Sequence, residues 1–461
     1  MTLEERYKRL KQHLSEENPL LLGVTDKYMA LDKVGHKTGL LAADESYTSH
    51  ISWWPLISVL GTFSAGKSTF INDYIGEKVQ TSGNQAVDDK FTALCYGKNS
   101  EATTLPGMAL DADPRFPFYN VSEEVNKVQV GEGDRVNQYL QLKTVKSEAL
   151  KGKILIDSPG FDADSQRDTI LRLTSHIIDM SDLILIFFDA RHPEPGAMRD
   201  TLDHLVKSAM HHTDADKVLY VLNQIDTTAH EDNLEDVIGA WQRAMAQKGL
   251  ISGSFYTIYN EKSISHIDDE AVKERLKKKK DIDLERILSR IDKVGTERAY
   301  RIVRALENIA KSLKDDKLVS LHEALQRWSR NVVWANLSVA ALLVAALVTL
   351  EMQFGLLSTS NTVLTVVLAG VAAVGLYAHF SIRKFMTNRV SKSWEEKDPN
   401  IARAIRQNTR WWKPVFGPTL KSWGTKEKKS LEKLIDQSKL TIQELNDQFI
   451  SPSGERKNSN N

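Results

Sequence analysis

Pro55-Leu-Ile-Ser-Val-Leu60 runs straight into Gly61-Thr62-Phe63-Ser64-Ala65-Gly66-Lys67-Ser68-Thr69, and this stretch decides the fold. Its apolar half reads as a short buried strand. The loop after it fits Gly-x-x-x-x-Gly-Lys-Ser/Thr, where glycines let the backbone turn tightly enough to aim its N–H groups at phosphate oxygens. In that pattern Lys67 neutralises the β- and γ-phosphates, and the Ser68 hydroxyl is offered to magnesium. Thr69-Phe-Ile-Asn-Asp-Tyr74 then opens a helix whose positive N-terminal end faces the phosphates. Strand, loop and helix in this order predict a nucleotide pocket lined by Gly61 through Thr69.

Three further apolar runs end in residues suited to the same pocket. Lys153-Ile-Leu-Ile-Asp157-Ser-Pro-Gly160 ends in Asp-x-x-Gly, a carboxylate able to hold magnesium through water and a glycine amide able to sense a γ-phosphate. Leu183-Ile-Leu-Ile-Phe-Phe-Asp189 is a second apolar strand. Lys217-Val-Leu-Tyr-Val-Leu-Asn223-Gln224-Ile-Asp226 is a third. Its Asn-Gln-x-Asp stands where guanine-nucleotide proteins carry Asn-Lys-x-Asp, and Asp226 can accept from guanine N1 and N2. Taken singly these pieces are common, since an Asp after a strand often caps a helix. Together they predict an α/β fold, a mostly parallel sheet with helices on both faces and its ligand at the strands' carboxyl ends. Lys67, Ser68, Asp157 and Gly160 are the expected catalytic set, with Ser68 and Asp157 holding magnesium. Asn223, Gln224 and Asp226 are expected to bind the base.

The 461 residues allow two to four modules. Hydrophobic residues at 41% and charged residues at 26% exclude a disordered or collagen-like chain. Lys plus Arg, 61, equals Asp plus Glu, 61, so no global field marks a nucleic-acid binder. A single cysteine, Cys95, builds neither a disulfide framework nor a zinc site and fits a reducing compartment. The charged start MTLEERYKRLKQ has no apolar core of a signal peptide. His211-His212 reads as a solvated helix end.

The segment from Trp328 to Met386 departs from the average. Val332–Leu350 is 19 residues without a charge, and Thr362–Ile382 is 21 without Asp, Glu, Lys or Arg. The first would span ~28 Å as a helix, about the thickness of a bilayer's hydrocarbon core. Arg327 and Arg330 precede the pair, Arg383, Lys384, Arg389 and Lys392 follow it, and the connecting loop has no basic residue. The positive-inside rule then predicts an integral membrane hairpin with both termini and the nucleotide domain in the cytoplasm. Trp328, Trp334 and Tyr377 are expected at the interfaces. Buried core helices, or shallow insertion without crossing, are the alternatives. From Arg383 to Lys429 there are 13 basic and 4 acidic residues, with Trp394, Trp411, Trp412 and Trp423 among them, which predicts contact with an anionic leaflet.

The chain resembles the dynamin superfamily, and within it the EH-domain-containing group and its bacterial relatives. The resemblance rests on GTFSAGKSTFI at 61–71, TLPGMALDADPRFPF at 104–118, ILIDSPG at 154–160, LILIFFDA at 183–190 and VLNQID at 221–226. It implies a membrane-binding mechanochemical NTPase that forms homo-oligomers and is stimulated by assembly. The chain departs from the pattern in four ways. No EH domain is recognisable at its C-terminus. The switch threonines fall near Val87 and Asp88 in Gln85-Ala-Val-Asp-Asp-Lys-Phe91-Thr92, with Thr92 and Thr81 as nearby hydroxyls out of register. Gln224 replaces a lysine. Phe63 stands where dynamins have glutamine, although the EH-domain group has an aromatic there. GTP and ATP are both open as substrates, with Asp226 favouring guanine.

The expected organisation is an N-terminal helical segment (1–50), a dynamin-type G domain (51–265), a helical stalk (266–328), a transmembrane hairpin (329–386), a basic, aromatic juxtamembrane helical region (387–450) and a disordered tail (451–461). Leu3, Tyr7, Leu10 and Leu14 predict one amphipathic N-terminal helix, and Leu21, Leu22, Met29 and Leu31 a second, both packed on the domain. Asp281–Leu313 predicts an amphipathic helix, or two broken at Gly295. Lys277–Lys280 reads as a solvated face, and Ser430–Leu445 as a further helix. Two functions follow: a membrane-anchored GTPase using magnesium to drive remodelling, fusion or tethering, or a nucleotide-gated membrane scaffold with negligible turnover. A transporter is disfavoured because neither span carries a charge.

Overall fold

The computed structural model describes residues 3–17, 19–62, 64–80, 90–113, 116–127, 131–160, 167–191, 217–228, 233–247, 254–261, 269–355, 361–415 and 424–449. Phe63, Thr81, the switch stretch 85–89, Pro114-Arg115, His211-His212, Trp423 and the tail 451–461 lie outside them. The chain divides into two compact units: residues 12–19 with 49–302, and residues 1–11, 20–48 and 303–461. The strands are β1 (Leu56–Gly61), β2 (Phe91–Tyr96), β3 (Thr103–Pro106), β4 (Leu140–Val145), β5 (Ile154–Asp157), β6 (Leu183–Asp189), β7 (Val218–Asn223) and β8 (Ser254–Thr257). The longer helices are α1 (Leu3–Glu17), α2 (Leu22–Thr38), α3 (Lys67–Ile75), α4 (Arg167–Met180), α5 (Leu234–Gln247), α6 (Glu270–Ser312), α7 (Leu318–Phe354), α8 (Asn361–Glu395), α9 (Pro399–Asn408) and α10 (Thr425–Phe449).

All eight strands form one sheet in the order β3-β4-β2-β5-β1-β6-β7-β8. β2 runs antiparallel to β5 and β3 antiparallel to β4; the other pairings are parallel. Every residue of β1, β5, β6 and β7 is buried. That is why these strands read as continuous apolar runs: a parallel strand covered on both faces has no polar side to alternate with. Ile57 and Val59 pack with Phe70 and Ile71 of α3 and with Ile287, Ile291 and Val294 of α6. Leu56 joins Leu173 and Ile177 of α4, and Leu60 joins Trp241 and Met245 of α5. Helices thus cover both faces, as expected.

α6 is one helix through Gly295 and is not broken there. A mid-helix glycine costs about 1 kcal/mol, and the buried stripe of Ile287, Ile291, Val294 and Ile302 on either side outweighs that. Polar pins reinforce it. Asp182, 1% exposed at the start of β6, accepts from the Leu56 N–H at 2.9 Å, Arg298 Nη1 at 3.1 Å and Arg301 Nη1 at 2.8 Å. Arg298 Nε also donates to the Ser52 carbonyl at 2.7 Å. The Lys277–Lys280 face is solvated only in part. Lys280 is buried, paired with Glu261 and Asp281 and lying over the Tyr259 ring, because its helical position faces the end of β8.

In the other unit the N-terminal helices bury Tyr7, Leu10 and Leu31 of the apolar positions read from their periodicity, whereas Leu3, Leu22 and Met29 are half-buried. Asp32 is held there by the Tyr7 hydroxyl at 2.7 Å and the Tyr47 N–H at 2.9 Å. α6 continues through a π-turn, Leu313–Lys317, into α7. The continuous helical run Glu270–Gln353 and the segment Leu364–Glu395 of α8 are each long and apolar enough to cross a membrane. Their most apolar windows are 6% and 0% buried, which overturns the alternative of buried core helices. Trp334 and Tyr377 are exposed. Trp328 is not: its ring is fully buried beside Val332 and Val415, so it is a packing residue and no member of an exposed aromatic belt.

Asp182→Ala would leave two guanidinium groups and a buried strand N–H without their shared acceptor. The expected cost is about 3 kcal/mol, the lower end for a broken buried pair because Arg301 is partly hydrated. Thermal unfolding of the full chain checks this, and an unchanged midpoint would refute the role given to Asp182.

Candidate nucleotide site

The carboxyl ends of β1, β5, β6 and β7 lie side by side, carrying Gly61, Asp157, Asp189 and Asn223. Gly61 ends β1, and a Cβ there would lie 2.6 Å from the Phe187 carbonyl oxygen, so a side chain cannot be accommodated. Ser64, at φ 59, turns the loop, and Gly66, at φ 83, precedes α3 in the left-handed region. Thr62, Ser64, Gly66, Ser68 and Thr69 are partly exposed, whereas Ala65 and Lys67 are buried. Lys67 Nζ donates to the carbonyls of Gly61 and Thr62, both at 3.0 Å. Burial pushes its pKa below the ordinary lysine value, and the neighbouring Asp157 carboxylate partly offsets this. A depressed lysine pKa makes the charged form a burden on the fold, one relieved as pH rises through that value. Burying this amine in its charged form therefore costs stability.

Asp157 ends β5 and is buried. Its Oδ2 lies 3.3 Å from Ser68 Oγ and accepts from Gln80 Nε2 at 2.7 Å. Lys143 on β4 in turn donates to Gln80 Oε1 at 2.7 Å and to the Val79 carbonyl at 3.2 Å. Gln80 and Asp157 are both buried, so the bond between them is shielded from water, whereas Lys143 is half-buried. Gly160, three residues on, is half-buried. Thr92, one of the out-of-register hydroxyls, is committed to the sheet: it pairs with Asp157 across the strands and its Oγ1 accepts from Gln141 Nε2 at 2.8 Å.

The Asn-Gln-x-Asp segment is tied to the phosphate loop. Asn223 Nδ2 donates to the Ala65 carbonyl at 2.8 Å and Gln224 Nε2 to the Ser64 carbonyl at 2.6 Å. Gln224 takes φ 65, an uncommon conformation for a residue with a side chain. A Cβ on Gly66 would lie 2.2 Å from Asn223 Nδ2, so this glycine is required by contact as well as by its φ. Asp226 follows on the short turn Ile225–Thr228 and is 5% exposed. On the next strand Asp189 grips Arg191 through a fork, with Nε at 3.0 Å from both carboxylate oxygens. That fork raises the Arg191 pKa, and the negative fields of Asp189 and Asp226 add to it. The structure therefore brings Gly61, Thr62, Ser64 to Thr69, Asp157, Asn223, Gln224 and Asp226 to one end of the sheet. Gln80, Lys143 and the Asp189–Arg191 fork were missed from sequence, because no motif spacing announces them. The Asp that ends the Leu183–Asp189 run was the one available signal.

The dynamin-family profile matches residues 57–225, which span β1 to the turn after β7. That segment of the chain is similar to the dynamin family. It is 26% identical to EH domain-containing protein 2 of Rattus norvegicus over 203 residues, 42% of this chain and 34% of that protein. It is also 26% identical to EH domain-containing protein 1 of Homo sapiens over 183 residues, 37% of this chain and 31% of that protein. The chain thus spans about a third of the length of the curated relatives it matches. Among solved structures, a bacterial dynamin pair described as sensing and tethering membranes superposes with TM-score 0.38 at 14% identity, over 96% of this chain and 67% of that one. Aquifex aeolicus Era gives 0.26 at 15%, over 48% and 56%. At these scores neither likeness bears on function.

The buried bond from Gln80 to Asp157 yields a prediction. Gln80→Ala removes one donor from Asp157 Oδ2; should that carboxylate hold magnesium as expected, the magnesium dependence of nucleotide binding should weaken by about tenfold, the usual effect of losing a side chain that orients a metal ligand. Affinity measured without magnesium should move little. An unchanged magnesium midpoint in calorimetric titrations would remove Gln80 from the site.

Proposed function

We propose that this chain is a membrane-anchored dynamin-like GTPase that binds and hydrolyses GTP with magnesium, forms homo-oligomers on the cytoplasmic face and couples turnover to membrane remodelling, fusion or tethering. The observation that carries the reading is the pair of bonds from Asn223 and Gln224 to the Ala65 and Ser64 carbonyls. They hold a base-reading segment and a phosphate loop at one fixed separation, as a pocket for a whole nucleoside triphosphate requires. Lys67 would stabilise phosphate charge, and the Gly160 amide would read the γ-phosphate. Ser68 and Asp157 present hard oxygen donors, which suit magnesium completed by phosphate oxygens and water. When bound, the ion would neutralise charge developing on the transferred phosphate. Asn223 and Asp226 would select the base. A carboxylate at Asp226 can accept two N–H groups from guanine, and adenine offers no such pair. The lipid partner is supported by two long, exposed apolar helices with basic flanks; no nucleic-acid partner is proposed.

Two observations favour other readings. Gln224 in place of lysine supports an ATPase. The engagement of Thr92 within the sheet supports a nucleotide-gated scaffold with little turnover.

Calorimetry of the full chain with GTP and with ATP separates the substrates; GTP should bind at least tenfold more tightly, and the reverse order would establish the ATP reading. Lys67→Ala should abolish binding while the far-ultraviolet spectrum stays native, and retained affinity would refute the pocket. Phosphate release should rise on anionic liposomes, whereas no turnover under any lipid condition would leave the scaffold. Alkaline carbonate should fail to strip the protein from membranes if the hairpin is integral.

A further inference from the structure

We propose that the turn Arg410–Lys413 is an interfacial anchor whose indoles, Trp411 and Trp412, lodge in the anionic headgroup layer of the leaflet entered by α7 and α8. The proposal rests on the membrane reading of those two helices and adds a second, separate lipid contact to it.

The turn is closed by the Lys413 N–H donating to the Arg410 carbonyl at 2.8 Å, which puts both tryptophans at its corner. Both ends of that corner are pinned to one side chain: Arg383 Nη2 donates to the carbonyls of Arg410 and Lys413, each at 2.8 Å. Arg383 directly follows Ile382, the last residue of the second apolar run, and its guanidinium lies 5.4 Å from the ring centre of the buried Trp328. The Trp328 N–H donates to Thr387 Oγ1 at 3.0 Å, which fixes that ring between the two helices. Just past the turn, Val415 is buried with Trp328 and Val332, with Ile382 packed against them, and its carbonyl accepts from the Ser329 hydroxyl. Val332 and Ile382 are the first and last residues of the two apolar runs. The turn is therefore fastened at the level where the helices pass from charged to apolar sequence.

Held there, the indoles point away from the protein. Trp411 is 69% and Trp412 56% exposed, packed edge to face at 5.6 Å, with the Arg410 guanidinium 5.3 Å from the Trp412 ring. Two adjacent exposed tryptophans clamped by a buried arginine are not explained by folding, since folding would bury them. An indole has an apolar body and one N–H donor, and it partitions to the headgroup level of a bilayer. The surroundings match an anionic surface. The segment Arg383–Lys429 carries 13 basic and 4 acidic residues, and Arg410 and Lys413 flank the indoles. A second copy of the chain is the competing occupant. The position at the boundary of the apolar runs favours lipid, because that boundary is where a bilayer surface would lie.

The test uses the full chain in a Cys95→Ser background, with one spin label at Lys413→Cys beside the intact indoles or at Val344→Cys within the first apolar run. Each is reconstituted in vesicles of phosphatidylcholine with phosphatidylglycerol, and accessibility to oxygen and to a water-soluble nickel complex is read. The label at 413 should be shielded from nickel several-fold relative to the detergent-free aqueous limit. Adding Trp411→Ser and Trp412→Ser, both exposed positions, should return it to water with the circular dichroism unchanged. A water-exposed label at 413 with an embedded label at 344 would overturn the anchor and leave the spans standing. Water-exposed labels at both would overturn the span reading and the anchor with it. Shielding at 413 that vanishes as protein is diluted in lipid would assign the indoles to a second copy, against the proposal.

Discussion

The nucleotide end of this chain depends on one missing atom. Gly66 has no Cβ, and the space a Cβ would fill is occupied by the Asn223 side-chain amide. Because the amide can enter, it reaches the Ala65 carbonyl at 2.8 Å, and the segment after β7 closes onto the loop after β1. These segments are 158 residues apart in sequence. Neither could be set against the other by local propensity. The strained φ of Gln224 belongs to the same arrangement: a residue with a side chain tolerates that conformation when bonds on either side over-determine it. Here its Nε2 holds the Ser64 carbonyl and its own carbonyl accepts from Thr227.

Much of this was legible beforehand, and the reason is physical. A strand buried on both faces must be apolar throughout, so β1, β5, β6 and β7 announce themselves, and a polar residue at the end of such a run is conspicuous. A phosphate loop needs glycines at set spacing, which gives it a readable pattern. The antiparallel entry of β2 beside β5 was not legible, because strand direction depends on the path of the connection and leaves no mark on the strand's own residues. Gln80 was hidden for a related reason. It lies outside any run or motif, and its importance comes from Asp157 and Lys143, 77 and 63 residues away. Trp328 misled because composition cannot tell an interfacial indole from a buried one. The Arg383 guanidinium over its face and the Thr387 hydroxyl at its N–H decide that question.

Charge on α6 shows the same difference between pattern and partner. Lys277, Lys278 and Lys279 are exposed, while Lys280, next along the chain, is buried between carboxylates and an aromatic ring. A run of four lysines cannot all face water on a helix that rests on a sheet, because successive positions turn by about 100°. One of the four must point inward, and it is retained by Glu261, Asp281 and Tyr259. Asp182 is the complementary case, a lone carboxylate at the opposite end of the strands, made tolerable by two arginines from the same helix and a strand N–H. Both are buried charges with several partners each, the condition under which such groups persist.

The π-turn between α6 and α7 explains how one helical run can serve two packing surfaces. Before it the buried positions fall at Val303, Leu306, Ala310 and Leu313, and after it at Leu318, Leu321, Leu325, Trp328 and Val332. Every step in these two series is three or four residues, except the step from Leu313 to Leu318. An ordinary helix taking five residues there would turn its buried stripe roughly 140° out of line. The π-turn at Leu313–Lys317 absorbs the extra residue, so the stripe stays continuous through to Val332. Beyond Val332 the stripe ends because apolar residues surround the axis: Leu337, Leu342, Val344 and Val348 are all exposed. No break in the backbone is needed at this change, since a helix satisfies its own N–H and C=O groups in water and in hydrocarbon alike. What changes at Val332 is the exposure of the apolar side chains, and Trp328 with Arg383 closes the packed stripe immediately before it.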